Sequence, residues 1–271
     1  MHGNARLDRV LSSVLVALSY LCVFAFLAGF VDSVVGGGGL IQLPALFICL
    51  PPAYASVAAT VFGTNKLSSI CGTGMAVIQY ARRIPLRWRS LLPSAGTAFV
   101  FSWLGARTVA HAPTQVLKPV ILVLLVAVAA YTYWRKDFGD LHAPKLNSRQ
   151  EALMGLLMGA GIGFYDGFFG PGTGSFLIFG FIGIFGCDFL TASASAKVIN
   201  CATNLSAVAY FAATDHILYR YALPMGVCNI LGSLAGTRMA ILKGSRFVRA
   251  FFLVVITGMI LRFGWDAAVG K

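Results

Sequence analysis

Long apolar runs broken by short polar turns dominate the chain. They fall at 10–31, 39–50, 55–81, 89–109 and 116–134, then at 150–169, 174–187, 189–213, 220–242 and 247–264. As helix, at 1.5 Å rise per residue, most of them are long enough to cross a hydrocarbon core of about 30 Å. The second run of each set is shorter, about a dozen residues, which fits a half-helix, a re-entrant element or a helix continued through its glycines.

The two sets of runs match. Gly29-Phe30-Val31-Asp32 leads into Gly36–Gly39, and in the second set Gly163-Phe164-Tyr165-Asp166-Gly167 leads into Gly170-Pro171-Gly172-Thr173-Gly174. Asn65 follows Asp32 at nearly the spacing at which Asn200 follows Asp166. Leu92-Pro93 and Gly105-Ala106-Arg107 recur at one common offset as Leu223-Pro224 and Gly236-Thr237-Arg238. The predicted fold is an all-α integral membrane protein of two repeats, each of about five transmembrane segments and about 10 in total. The repeats occupy 1–134 and 151–271, joined by a hydrophilic linker, 135–150. With an odd number of crossings per repeat, the second copy runs inverted to the first.

Composition supports a lipid-facing exterior. The chain is 58% hydrophobic and 11% charged, whereas a soluble domain carries roughly a quarter charged residues. A net charge of +12 would suggest nucleic acid if it formed one stripe. Here the basic residues collect at the ends of apolar runs, where they meet anionic lipid and orient the protein. Alternate loops hold twelve on one side (Arg82, Arg83, Arg87, Arg89; Arg135, Lys136, Lys145, Arg149; Arg238, Lys243, Arg246, Arg249). The other side holds seven, Arg6, Arg9, Arg107, Lys118, Arg220, Arg262 and Lys271. The positive-inside rule then puts the linker in the cytoplasm and both termini outside. The 10–31 run exceeds a signal-peptide core and is expected to be retained.

A duplicated glycine break inside apolar sequence points to a bound solute. Unwound backbone in lipid strands N–H and C=O groups, so it is tolerated only where it lines a cavity inside the protein. The two breaks are therefore expected at the centre, facing one another. After each break a new helix starts, with unpaired N–H groups and partial positive charge suited to an anion. Gly37, Gly38, Gly39 and Gln42 line that start in the first repeat, and Gly172, Thr173, Gly174 and Ser175 in the second. The competing reading is that the glycines serve close helix packing alone.

Polar residues within the third and eighth runs extend the candidate site. These are Thr64, Asn65 and Lys66, then Lys197, Asn200, Thr203 and Asn204. Lys197, Asn200 and Asn204 share one helical face. A lysine at mid-membrane costs a few kcal/mol and normally faces a cavity or an acid; the alternative is that it snorkels to an interface. Asp32 and Asp166 either couple protons, cap helices or pair with a buried lysine.

Other chemistries find little support. The six cysteines form no C-x-x-C pair and read as reduced packing residues. His111, His142 and His216 lack metal-ligand spacing, and no nucleophile–base pair marks an enzyme. Gly170–Gly174 lacks the Lys-Ser/Thr and βαβ context of a nucleotide loop. No cofactor or metal is expected, and the partners are a small anion, protons and lipid. A secondary transporter leads, with a passive anion channel as the alternative.

At the two Asp-glycine motifs, at Gly63-Thr64-Asn65-Lys66-Leu67 and at Ala196-Lys197-Val198-Ile199-Asn200 with Asn204, the chain resembles the TauE/SafE family. The resemblance spans both halves. It implies a bacterial inner-membrane exporter of sulfite, organosulfonates or related small organic anions, with proton linkage a further implication.

Overall fold

The computed structural model describes residues 2–111 and 147–269. The fifth predicted run, most of the linker and His142 lie outside the described residues. Described residues are almost entirely helical: α1 (His2–Val35), α2 (Gly39–Cys49), α3 (Pro52–Ala55), α4 (Ala58–Ala81) and α5 (Trp88–His111) in the first half, then α6 (Ser148–Phe168), α7 (Thr173–Gly183), α8 (Phe189–Ala213) and α9 (Tyr219–Val269). Residue Gly244, at φ 69°, breaks α9 into two legs, which correspond to the last two apolar runs. Among the described residues, Val14–Val35 and Tyr219–Val248 are the helical spans long and apolar enough to cross a membrane by length and composition.

Local signals explain several boundaries. Helix α1 runs four residues beyond the predicted 31, through Asp32, and stops at Gly36 and Gly37, whose φ angles are 78° and 89°. Helix α6 begins inside the predicted linker because Asn147 and Gln150 form a reciprocal capping box. Asp188 caps α8, accepting from the backbone N–H groups of Leu190 and Thr191 at 3.0 and 3.1 Å. The short runs become eleven-residue helices, α2 and α7.

Helices from opposite halves pack most extensively, α1 on α9 and α5 on α6. Glycines permit the approach: a Cβ on Gly167 would strike the Ser102 carbonyl, and one on Gly232 the Phe26 carbonyl. The hydrogen bonds recur in corresponding places. Ser102 Oγ donates to Thr203 O at 2.9 Å, and Ser233 Oγ to Gly72 O at 2.7 Å. These pairs put the third helices of the halves in register at an offset of 131. Asn200 therefore corresponds to Ser69, which corrects its pairing with Asn65 by distance from the aspartates.

Two apolar clusters fill the interior. One, with Val34, Tyr80, Leu91, Ile178 and Phe181, gathers toward the arginine-rich α4–α5 turn. The other, with Leu21, Leu46, Phe62, Phe211 and Met225, gathers toward the opposite end. The glycine breaks lie between them.

Candidate anion site at the glycine breaks

The two breaks touch. A Cβ added to Gly36 would lie 2.5 Å from the Gly174 backbone, and one added to Gly39 would lie 3.5 Å from Pro171 Cα. Ser175 Oγ, at the start of α7, donates to Val35 O at the end of α1 (3.2 Å). Each new helix opens on a glycine, Gly38 before α2 and Gly172 before α7. Only Gly172 needs the left-handed region, at φ 82°.

Two lysine–aspartate pairs cross between the halves beside these breaks. Lys66 of α4 approaches Asp166 of α6 at 2.8 Å, with side-chain exposures of 4% and 2%. Lys197 of α8 meets Asp32 of α1 at 3.0 Å, with exposures of 0% and 18%. Neither lysine snorkels. Each reaches the acid of the other half because α4 and α8 cross at the centre and carry their lysines at corresponding positions.

The pairs differ in their surroundings. The Lys66–Asp166 approach is charge on charge, without a well-directed hydrogen bond to Oδ2 among the described residues. Asp32 is more fully bonded: Gly38 N–H donates to Oδ1 at 3.3 Å, and Thr73 Oγ1 and Lys197 Nζ donate to Oδ2 at 3.4 and 3.0 Å. The Asp32 carboxylate thus occupies the kind of site an oxyanion would use, with a helix start, a hydroxyl and an ammonium around it. A Cβ on Gly174 would sit 3.5 Å from Lys197 Nζ, so the ammonium lies against the α7 break.

Several predicted residues have other work. Thr64 Oγ1 donates to Thr60 O (2.7 Å) and accepts from Leu218 N (3.1 Å), tying α4 to the start of α9. Thr173 Oγ1 donates to Gly170 O (2.7 Å), and Ser175 is committed to Val35. These hydroxyls bond the carbonyls at the two breaks. Gln42 Oε1 accepts from Asn229 Nδ2 at 2.9 Å. Asn65, Asn200 and Asn204 are buried; Asn200 and Asn204 lie one and two turns beyond Lys197.

Sequence reading overlooked Thr73, Tyr80 and Asn229. Tyr80 OH donates to Ser33 O beside Asp32 (2.8 Å). Thr73 lies seven residues after Lys66, two helical turns on the same face, a signal that was present. Asn229 is an isolated amide within an apolar run.

A cavity of about 430 Å³ opens near the α4–α5 turn, lined by Leu86, Arg87, Glu151, Phe181, Phe185 and Ser195. Arg87 Nη1 donates to Glu151 Oε1 at 2.6 Å across its mouth. The lining includes Ser195 of α8, about 3 Å along the helix axis from Lys197.

Comparison with known proteins gives the family. The family model described as Sulfite exporter TauE/SafE matches residues 21–263. A Sinorhizobium sp protein named "Probable membrane transporter protein ORF9" is 36% identical over 247 residues, covering 90% of this chain and 91% of the relative. A "Probable membrane transporter protein" of Haemophilus influenzae is 32% identical over 250 residues, covering 92% and 95%. Escherichia coli (strain K12) "Probable membrane transporter protein YfcA" is 30% identical over 254 residues, covering 92% and 90%. No solved structure matches. With both aspartate–glycine breaks and both buried lysines inside the matched span, the chain belongs to the TauE/SafE family of membrane transporters.

Proposed function

We propose that the chain is a secondary transporter of small anions, such as sulfite, organosulfonates or related organic anions, exporting them across a bacterial inner membrane. Its two halves are inverted repeats of about five spans each, with the linker cytoplasmic and both termini periplasmic. The paired contacts between halves support that arrangement, since α1 meets α9 as α6 meets α5. Alternating access is a rocking of the halves about the touching breaks.

One observation carries the reading: the Lys197 ammonium is wholly buried, at the start of α7, and held across the half–half junction by Asp32. Burying such a charge is costly, and a site that needs it for a negative solute accounts for its retention. The solute replaces the Asp32 carboxylate at Lys197, and a proton neutralises the displaced acid. Groups facing Asp32 are Lys197 from α8, Thr73 and the Tyr80 phenol from α4, and the Gly38 N–H at α2. Helix α9 turns Gly236 toward this part of α1, while its Ser233 bonds Gly72 O of α4 and its Arg238 is exposed. The 430 Å³ cavity is the cytoplasmic approach.

Binding tests the proposal. Thermal shift of the purified protein across sulfite, alkanesulfonates and small carboxylates should find at least one saturable anion, lost in Lys197→Gln. Undiminished binding in that variant would put the site elsewhere.

A further inference from the structure

The two halves correspond around the breaks, but at four places buried polar residues on the first-half side have apolar counterparts in the second. On the first-half side, Gln42 of α2, Asn65 and Ser68 of α4 and Asn229 of α9 are all buried. Their counterparts, at offsets of 134 for α2 and 131 for the rest, are Phe176, Ala196, Ile199 and Ala98. The scaffold therefore packs well with apolar side chains at these four places. Polar ones are not required by the fold.

These polar residues form one cluster. Asn229 Nδ2 donates to Gln42 Oε1 at 2.9 Å, and Asn229 lies against Gly29 and Gly72, where any Cβ would strike its carbonyl or amide oxygen. Asn65, Ser68 and Gly72 recur every three or four residues along α4, on one face. Ser68 Cα also adjoins Gly226, one turn before Asn229 on α9. Three buried polar atoms of the cluster have no partner among the described residues: Gln42 Nε2, Ser68 Oγ and Asn65 Oδ1. A donor, a hydroxyl and an acceptor are thus left unused on the faces of α2 and α4 that adjoin Asn229 or continue from it, and buried polar groups seldom go without a partner.

The cluster also sits at a defined distance from the proposed anion site. Gln42 follows Gly38 by one turn of α2, Gly29 precedes Asp32 by nearly one turn of α1, and Gly72 adjoins Thr73 on α4. Side chains one turn apart are about 5–6 Å from each other.

We infer that Gln42, Ser68 and Asn65 form a second subsite, which holds an uncharged hydrogen-bonding substituent of the transported anion, such as a hydroxyl, a few bonds from its charged head. A hydroxyl accepts from the Gln42 amide and donates to the Asn65 carbonyl oxygen, so it uses both kinds of vacant group. This inference rests on the anion reading above and narrows it from simple oxyanions to bifunctional small organic anions. A pocket built to bond a hydroxyl discriminates strongly against the analogue without one, because its own polar groups are then left unpaired.

Matched ligands test this on the purified full-length protein in nanodiscs. Calorimetry would compare 2-hydroxyethanesulfonate with ethanesulfonate, and 3-hydroxypropanesulfonate with propanesulfonate. The wild type should favour one hydroxylated member over its partner by tenfold or more. Gln42→Met and Ser68→Ala should each reduce that preference to about threefold or less, and Ser68→Ala should leave affinity for the plain sulfonate within threefold. Equal binding of both members of each pair by the wild type overturns the subsite and leaves the anion reading standing, as does a preference that survives both substitutions. If none of these sulfonates, the matching hydroxylated and plain carboxylates, or sulfite binds, the anion reading fails and the subsite with it; binding of sulfite alone overturns only the subsite.

Discussion

Removing Asp166 should expose how strongly the fold depends on its crossed charges. In Asp166→Asn, Lys66 keeps its ammonium in a site where only 4% of the side chain reaches the surface, and loses the carboxylate 2.8 Å away. Breaking a buried pair by deleting one partner costs about 3–5 kcal/mol, because the remaining charge is buried without compensation. The contact is ionic and not a well-aligned hydrogen bond, which favours the lower end, about 3 kcal/mol. At roughly 2–4 °C per kcal/mol, the melting temperature falls by about 6–12 °C. The double variant Lys66→Met with Asp166→Leu removes both charges at similar volume and should melt within a few degrees of the wild type. The assay is thermal unfolding of detergent-solubilised protein followed by intrinsic fluorescence. An Asp166→Asn variant that melts with the wild type would refute the reasoning, as would a double variant no more stable than the single one.

Further predictions concern the breaks and the ends of the helices. Gly36→Ala places a Cβ 2.5 Å from the Gly174 backbone at a φ of 78° and should abolish monodisperse protein in gel filtration, whereas Gly74→Ala, with nothing within 4 Å, should behave as wild type. Burial alone would raise the Asp188 carboxyl, but hydrogen bonds from Ser245, Thr191 and Leu190 outweigh it and hold the acid below its ordinary 3.8. Its folded-state stabilisation is therefore complete above the unfolded value and lost as pH falls through the lower folded one. Asp188→Ala should cost about 0.5–2 kcal/mol at neutral pH, and urea unfolding should show that difference shrinking below pH 3.8. Burial pushes the Cys187 thiol up to about 11, so maleimide labelling at pH 7.5 should be far slower there than at an ordinary exposed cysteine.

Much of the central layer was legible from the chain alone, and the reason is covalent spacing. Glycines at 36–39 and 170–174 interrupt apolar runs, so the helix ends they cause could be placed to within a few residues. A lysine in each half marked the crossing helices α4 and α8, since an unpaired ammonium in such a run needs a partner. Partner choice was less legible. Asp32 lies 165 residues from Lys197, and only the crossing of the halves brings them together. The bonds of Thr173 and Ser175 to the carbonyls at the breaks were not legible either, because an unwound carbonyl can take up a nearby hydroxyl as readily as a ligand can. Asn229 gave a weak signal as one amide in an apolar run; its meaning came from Gln42, a contact spanning 187 residues.

The account is tested most directly by anion flux in proteoliposomes, using a sulfonate whose charge stays fixed across the pH range. The measurement compares wild type with Lys197→Gln, each with and without an imposed proton gradient. Saturable flux that the gradient accelerates, and that disappears in the lysine variant, is the predicted result. Equal flux through both proteins, or no saturable flux of any anion through the wild type, would contradict it.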